Sequence, residues 1–210
     1  MDKNKLIRFV PSLMFLPLMA GTTSLGNVLT VNNSTRAINQ AVFIQKPNIE
    51  AAQIIAFNQV LGEKAKEAKM LEAEAEAIDS YFSLNDMPLL GSGRKMAEEA
   101  LRNGLDWRLL PAIAVRESTG GKNDCKRVDN NPFGWASCKV GFDSLDEAIE
   151  TIAKNLGGNN PTTEKHYANK TLKGILQAYN PPYVIPHYAE QVMHIMEDIG
   201  PENIIISANS

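Results

Sequence analysis

At 210 residues and 23.1 kDa the chain has room for one compact domain and an extension, but not comfortably for two full domains. Apolar residues at 44% and charged residues at 21% exclude a wholly disordered or fibrous chain and allow a sizeable core. A net charge of −3 without a basic stripe argues against nucleic acid as a partner.

Residues 1–26 have the order of a secretory signal. Lys3, Lys5 and Arg8 precede an apolar run over 9–20, and the small residues Gly21, Thr22, Thr23 and Ser24 follow it. The run, about 12 residues, is well short of the roughly 20 that span a bilayer as a helix, and Pro11 and Pro17 interrupt it. Further apolar residues over 25–31 lengthen the stretch, so the segment is either a cleaved signal peptide or a membrane anchor. Both readings put the protein outside the cytoplasm, secreted or held in the cell envelope. Cys125 and Cys138 agree with export: they share one loop-like stretch and are expected to form a disulfide, worth about 3 kcal/mol in the chain-entropy model. Zinc would need two more ligands, and His166, His187 and His194 have no close spacing to either cysteine, so no metal is expected.

Residues 27–48, rich in Asn, Thr and Ser with Pro47, read as a linker. Over 49–85 the sequence is helical: Ile54, Phe57, Leu61, Ala68, Leu71, Ala75 and Ile78 recur at three- and four-residue steps, with Lys64 in one position of the seam. The Glu-Ala alternation over 72–77 has the period of a strand, but both residue types favour helix. The segment is a solvated stalk, a weak coiled coil through which copies self-associate over 49–82, or a helix lying against the domain that follows.

That domain, 86–207, is expected to be mainly α. Met96, Ala97, Ala100 and Leu101 mark a helix stopped by Gly104. Asp106 caps a second, 107–118, whose apolar face is Leu110, Ile113 and Ala114. Ser144 and Glu147 form a capping box ahead of Leu145, Ala148, Ile149, Ile152 and Leu156. Thr171 opens a fourth helix, closed after Tyr179 by Asn180, Pro181 and Pro182. A fifth over 187–199 buries Ala189, Val192, Met193, Met196 and Ile199.

Glu117 is the leading candidate for chemistry. Ala114, Ile113 and Leu110 lie three, four and seven residues before it, so its carboxylate shares the apolar stripe of its own helix. Burial and the negative end of the helix dipole both raise a carboxyl's pKa, which suits a general acid. The alternative is a glutamate at a fraying helix end, reaching water or pairing with Arg116. Gly120 and Gly121 either turn the chain at the lip of a cleft or only stop the helix. Asn130, Asn131, Pro132, Phe133, Gly134 and Trp135 combine amides with aromatics, as a carbohydrate groove does, although core packing suits Phe133 equally well.

These residues carry a family resemblance. Residues 104–121, GLDWRLLPAIAVRESTGG, resemble the catalytic helix of the lytic transglycosylases and endo-β-N-acetylglucosaminidases of the lysozyme superfamily, in which a Glu-Ser pair ends the helix, matching Glu117 and Ser118. Residues 130–135 resemble the glucosaminidase stretch Asn-Asn-Leu-Phe-Gly, with Pro132 in place of leucine. Ala178, Tyr179 and Asn180 resemble the transglycosylase Ala-Tyr-Asn, and Tyr188 and Ala189 fall where glucosaminidases carry Tyr-Ala at the start of the last helix.

The resemblance implies a lysozyme-like helical fold and cleavage of β-1,4 glycan strands of peptidoglycan with Glu117 as acid and no cofactor. Ser118, Asn131, Phe133, Gly134, Trp135, Tyr179, Asn180 and Tyr188 become the expected substrate contacts. The transglycosylase Gly-Leu-Met-Gln segment is absent, and Asp124, Asp129 and Asp143 are equal candidates for a second carboxylate. A non-catalytic glycan-binding envelope module on the same fold is the alternative.

Overall fold

Ala, Glu, Lys and Leu, all good helix formers, dominate the first segment of the computed structural model, which describes residues 49–204. The expected leader (1–26), linker (27–48) and last residues of the domain (205–207) lie outside the described residues. One long helix, α1 (Ile49–Leu84), runs for 36 residues, about 54 Å at the usual rise. Its two halves have different surroundings. Every residue over 52–70 is exposed, whereas Leu71 is half-buried and Ala75, Ile78 and Phe82 are buried in the core. The second half is thus a helix lying against the domain, and the packed unit begins inside α1, ahead of Asp86. Asp86 ends the helix in the left-handed region (φ 51°), and Met87 N–H closes back on the Phe82 carbonyl at 2.8 Å.

Helix α2 (Gly93–Arg102) crosses α1 so closely that a Cβ at Gly93 would lie 2.4 Å from the Ala75 carbonyl oxygen. The N-terminal end of α2 is satisfied from α1: Asp79 Oδ1 accepts from Gly91 N–H at 2.9 Å and Gly93 N–H at 3.0 Å. Of the four residues that mark this helix in the sequence, Met96, Ala97 and Ala100 are fully buried and Leu101 is 53% exposed.

Helix α3 (Leu109–Ser118) is the centre of the fold, with Leu109, Leu110, Ala112, Ile113 and Ala114 fully buried. It begins two residues later than expected, because Asp106 Oδ1 takes the Arg108 N–H at 2.9 Å and holds Trp107 and Arg108 in a preceding turn. Around it pack α5 (Leu145–Leu156), whose Ser144 cap accepts from Glu147 N–H at 3.1 Å, and α8 (Tyr188–Ile199). Helix α7 (Leu172–Tyr179), capped by Thr171, lies on α8. Two one-turn pieces not expected from the sequence complete the order: α4 (Trp135–Cys138) and α6 (Glu164–Tyr167).

The described residues are therefore mainly α, with no strand among them, and none of their helices is long and apolar enough to cross a membrane. Truncation on the two halves of α1 should have opposite outcomes. Phe82→Ala removes a fully buried ring and should cost about 3–5 kcal/mol in denaturant unfolding, whereas Phe57→Ala, at a position 63% exposed, should stay within about 0.5 kcal/mol of wild type.

Candidate active site

The C-terminal end of α3 opens into a cavity of about 570 Å³. Glu117 enters it from α3; Gly134, Trp135, Ala136 and Ser137 form one wall; Tyr167 comes from α6, Tyr179 and Asn180 from the end of α7, and Pro181 and Val184 from the loop beyond. Helix periodicity explains the position of Glu117: it continues the stripe of Leu110, Ile113 and Ala114 past the point where the core ends. Thr119 then turns left-handed (φ 55°), and its N–H and that of Gly120 close back on the Val115 and Ala114 carbonyls.

Burial raises the Glu117 pKa above the ordinary value of 4.5, and this effect outweighs two opposing ones, a hydrogen bond from Tyr188 and the charge of Arg116. Tyr188 OH donates to Glu117 Oε1 at 2.6 Å. Burial and the neighbouring carboxylate push the Tyr188 hydroxyl well above its ordinary value, so it is a fixed donor to Glu117 and not a base. The Arg116 guanidinium lies over the Tyr188 ring, 5.6 Å from its centroid, and its Nε donates to Gln191 Oε1 at 2.8 Å. Tyr188 stacks on Tyr179 (6.1 Å, 15°), and Tyr179 meets Trp135 at a tilt (5.7 Å, 41°). The result is an aromatic series running from the carboxyl along the cavity.

No protein-family model and no curated protein matches this chain.

The geometry divides the expected site residues into two groups. Glu117, Gly134, Trp135, Tyr179 and Asn180 line the cavity, and Tyr188 reaches it through its hydroxyl on Glu117. Ser118, Asn131 and Phe133 do not line it. Ser118 Oγ donates to the Ala114 carbonyl and accepts from Gly121 N–H, both at 2.9 Å, which ties the chain to the helix end. Phe133 is fully buried, and its carbonyl accepts from Tyr179 OH at 2.5 Å. Asn131, also fully buried, uses its whole amide on the wall: Oδ1 accepts from Trp135 N–H, and Nδ2 donates to the Trp135 and Val140 carbonyls.

Asp124, Asp129 and Asp143 lie outside the lining, leaving Glu117 as the one carboxylate among the lining residues. Tyr167, Ala136, Ser137, Pro181 and Val184 are lining residues that the sequence analysis did not single out. Tyr167 follows a polar stretch with no periodicity, and nothing in the sequence marks it.

The wall is conformationally expensive. Ala136, Ser137 and Cys138 are consecutive non-glycine residues with φ of 53°, 56° and 57°, each costing roughly 1–2 kcal/mol. Cys138 is joined to Cys125 by the expected disulfide, with a Cα–Cα distance of 5.5 Å. Gly134 suits glycine on two counts: its φ of 62° is costly for a residue with a side chain, and a Cβ there would lie 2.9 Å from Glu117 Oε2 and push the carboxyl aside.

A raised folded-state pKa has a defined linkage. Between the unfolded value and the raised folded value the native state binds more protons, so stability falls as pH rises through that window, and the cost is complete above it. Glu117→Gln escapes this cost and can still accept from Tyr188. Thermal melts across roughly pH 4 to 8 should show the variant gaining on wild type as pH rises, with no difference growing if the carboxyl is solvated.

Proposed function

We propose that this chain is a cell-wall glycosidase that cleaves β-1,4 glycan strands of peptidoglycan, with Glu117 as general acid. The observation that carries this reading is a carboxyl of raised pKa, oriented by a tyrosine donor, in a cavity with aromatic faces. Protonated Glu117 gives its proton to the glycosidic oxygen as the bond to the leaving sugar breaks, and the carboxylate formed then takes a proton from the attacking hydroxyl or water. Tyr188 holds the carboxyl in place and meets the charge that develops on it. Trp135 and Tyr179 offer faces for sugar rings, and Asn180 an amide for hydroxyl or N-acetyl groups.

Most glycosidases pair two carboxylates across the scissile bond; substrate-assisted enzymes do without the second. With Glu117 alone among the lining carboxylates, the positive charge at the cleaved carbon is met by the substrate's own N-acetyl group. The resemblance of residues 104–121, 130–135 and 178–180 to lytic transglycosylases and glucosaminidases supports the same chemistry. Export through residues 1–26, and α1 as spacer between an envelope tether and the domain, complete the proposal.

The single carboxylate also favours a second reading, a glycan-binding envelope module without catalysis. Purified peptidoglycan separates the two. Wild type should release soluble fragments, and Glu117→Gln should lose roughly 10²–10⁴-fold in rate while still sedimenting with the glycan. Fragment masses report the attacking group: water gives a hydrolysed end, and an internal hydroxyl gives an anhydro sugar one water lighter. Wild type that sediments with peptidoglycan and releases nothing is the module.

A further inference from the structure

In the wall formed by Gly134, Trp135, Ala136 and Ser137, only Trp135 packs on the hydrophobic core and on Tyr179, and the turn that follows it, Ala136 and Ser137, is exposed. None of the four residues of α4 is fully buried, and Lys139, Val140 and Gly141 after it are exposed. Three successive side-chain-bearing residues stand in the left-handed region, a conformation that the chain abandons when nothing opposes its doing so. Beyond the packing of Trp135, two devices oppose it within the turn itself. Asn131 spans the turn, accepting from Trp135 N–H at 2.9 Å and donating to the Trp135 carbonyl at 3.0 Å and the Val140 carbonyl at 2.8 Å. The disulfide pins the last left-handed residue, Cys138, to Cys125.

We propose that Asn131 and the Cys125–Cys138 disulfide are positioning residues for the Glu117 cavity: together they hold its wall against a conformation that the chain disfavours, so the site is assembled only while the disulfide is oxidised.

The wall reaches the carboxyl directly, since a Cβ on Gly134 would lie 2.9 Å from Glu117 Oε2. The helices that carry the other site groups do not depend on it. Glu117 and Arg116 stand on α3, Tyr179 on α7 and Tyr188 on α8, all anchored in the core. Reduction breaks the S–S bond: a dithiol supplies two electrons and two protons, both cysteines become thiols, and the reductant closes to its own cyclic disulfide. The left-handed turn then relaxes, the wall leaves, and water reaches Glu117, while the helical fold persists. The wall residues carry no ionisable side chain. Arg116, Tyr167, Tyr179 and Tyr188 remain around Glu117, and the variant without either cysteine separates the loss of the wall from the two thiols that reduction creates.

As a statement about catalysis this rests on the glycosidase reading; as a statement about the environment of the carboxyl it does not. The test therefore reads both. The ¹³C NMR titration of Glu117 is followed in the full chain when oxidised, when reduced by dithiothreitol with two thiols counted, and in the Cys125→Ser/Cys138→Ser variant. Far-UV circular dichroism and, on peptidoglycan, the alkaline limb of activity are measured in parallel. The expected result is unchanged helix content with the Glu117 midpoint falling to the ordinary carboxylate range in both disulfide-free forms, the alkaline limb falling with it.

Oxidised Asn131→Ala should move the midpoint in the same direction. An unchanged midpoint after complete reduction overturns the proposal, and so does loss of helix on reduction, which would make the disulfide a staple of the whole fold. A midpoint that falls on reduction in a protein inactive on peptidoglycan would sink the glycosidase reading and leave this inference standing. Activity with a limb indifferent to reduction would do the reverse.

Discussion

The contact on which the site depends is the hydrogen bond from Tyr188 at the start of α8 to Glu117 at the end of α3. Polar ties join these helices near both ends. At the far end the Arg108 guanidinium pairs with Asp106 and donates to the Gly200 carbonyl at 3.0 Å, and Trp107 Nε1 donates to the Glu202 carbonyl at 3.2 Å. At the cavity end Tyr188 takes Glu117 and Arg116 takes Gln191. Between them lies an apolar interior, with Ile113, Val192 and Met196 buried. A carboxylate placed at the edge of such an interior loses hydration, and the tyrosine donor offsets only part of that loss.

The same economy shapes the surroundings. Tyr179 and Trp135 give the cavity flat faces, the buried Tyr188 stacks on Tyr179, and Tyr179 spends its hydroxyl on the Phe133 carbonyl, tying α7 to the loop that forms the opposite wall. Buried tyrosine hydroxyls with partners leave few unmet polar groups, so the cavity keeps its shape without its walls collapsing onto the carboxyl. The left-handed turn is the exception, a disfavoured conformation tied down at Asn131 and at the disulfide.

Much of this was legible in the sequence, and the failures are physical. Helices α2, α3, α5, α7 and α8 announce themselves by apolar periodicity and by caps such as Ser144 and Thr171, because those signals are local. Glu117 was legible for the same reason, as a carboxylate on an apolar stripe. Spacing reports that a stripe is apolar and not what covers it, so the seam of α1 reads alike where it is bare at Phe57 and buried at Ile78. Asp79 capping α2 is a contact across the α1–α2 crossing that no local pattern contains. Ser118, Asn131 and Phe133 stand out in the sequence by residue type, but type does not specify direction, and all three face inward to hold the structure around the site. One-turn pieces such as α4 and α6 have no period to detect.

Burial raises the Glu117 pKa above its ordinary value while the Tyr188 donor draws it partly back. A ¹³C titration of the Glu117 side chain in wild type and in Tyr188→Phe tests this most directly, because it reads both effects at one atom. The account predicts a wild-type midpoint above 4.5 and a higher one in the variant, which loses the donor that favours the ionised form. A wild-type midpoint at or below 4.5, or a midpoint that falls in the variant, would contradict it.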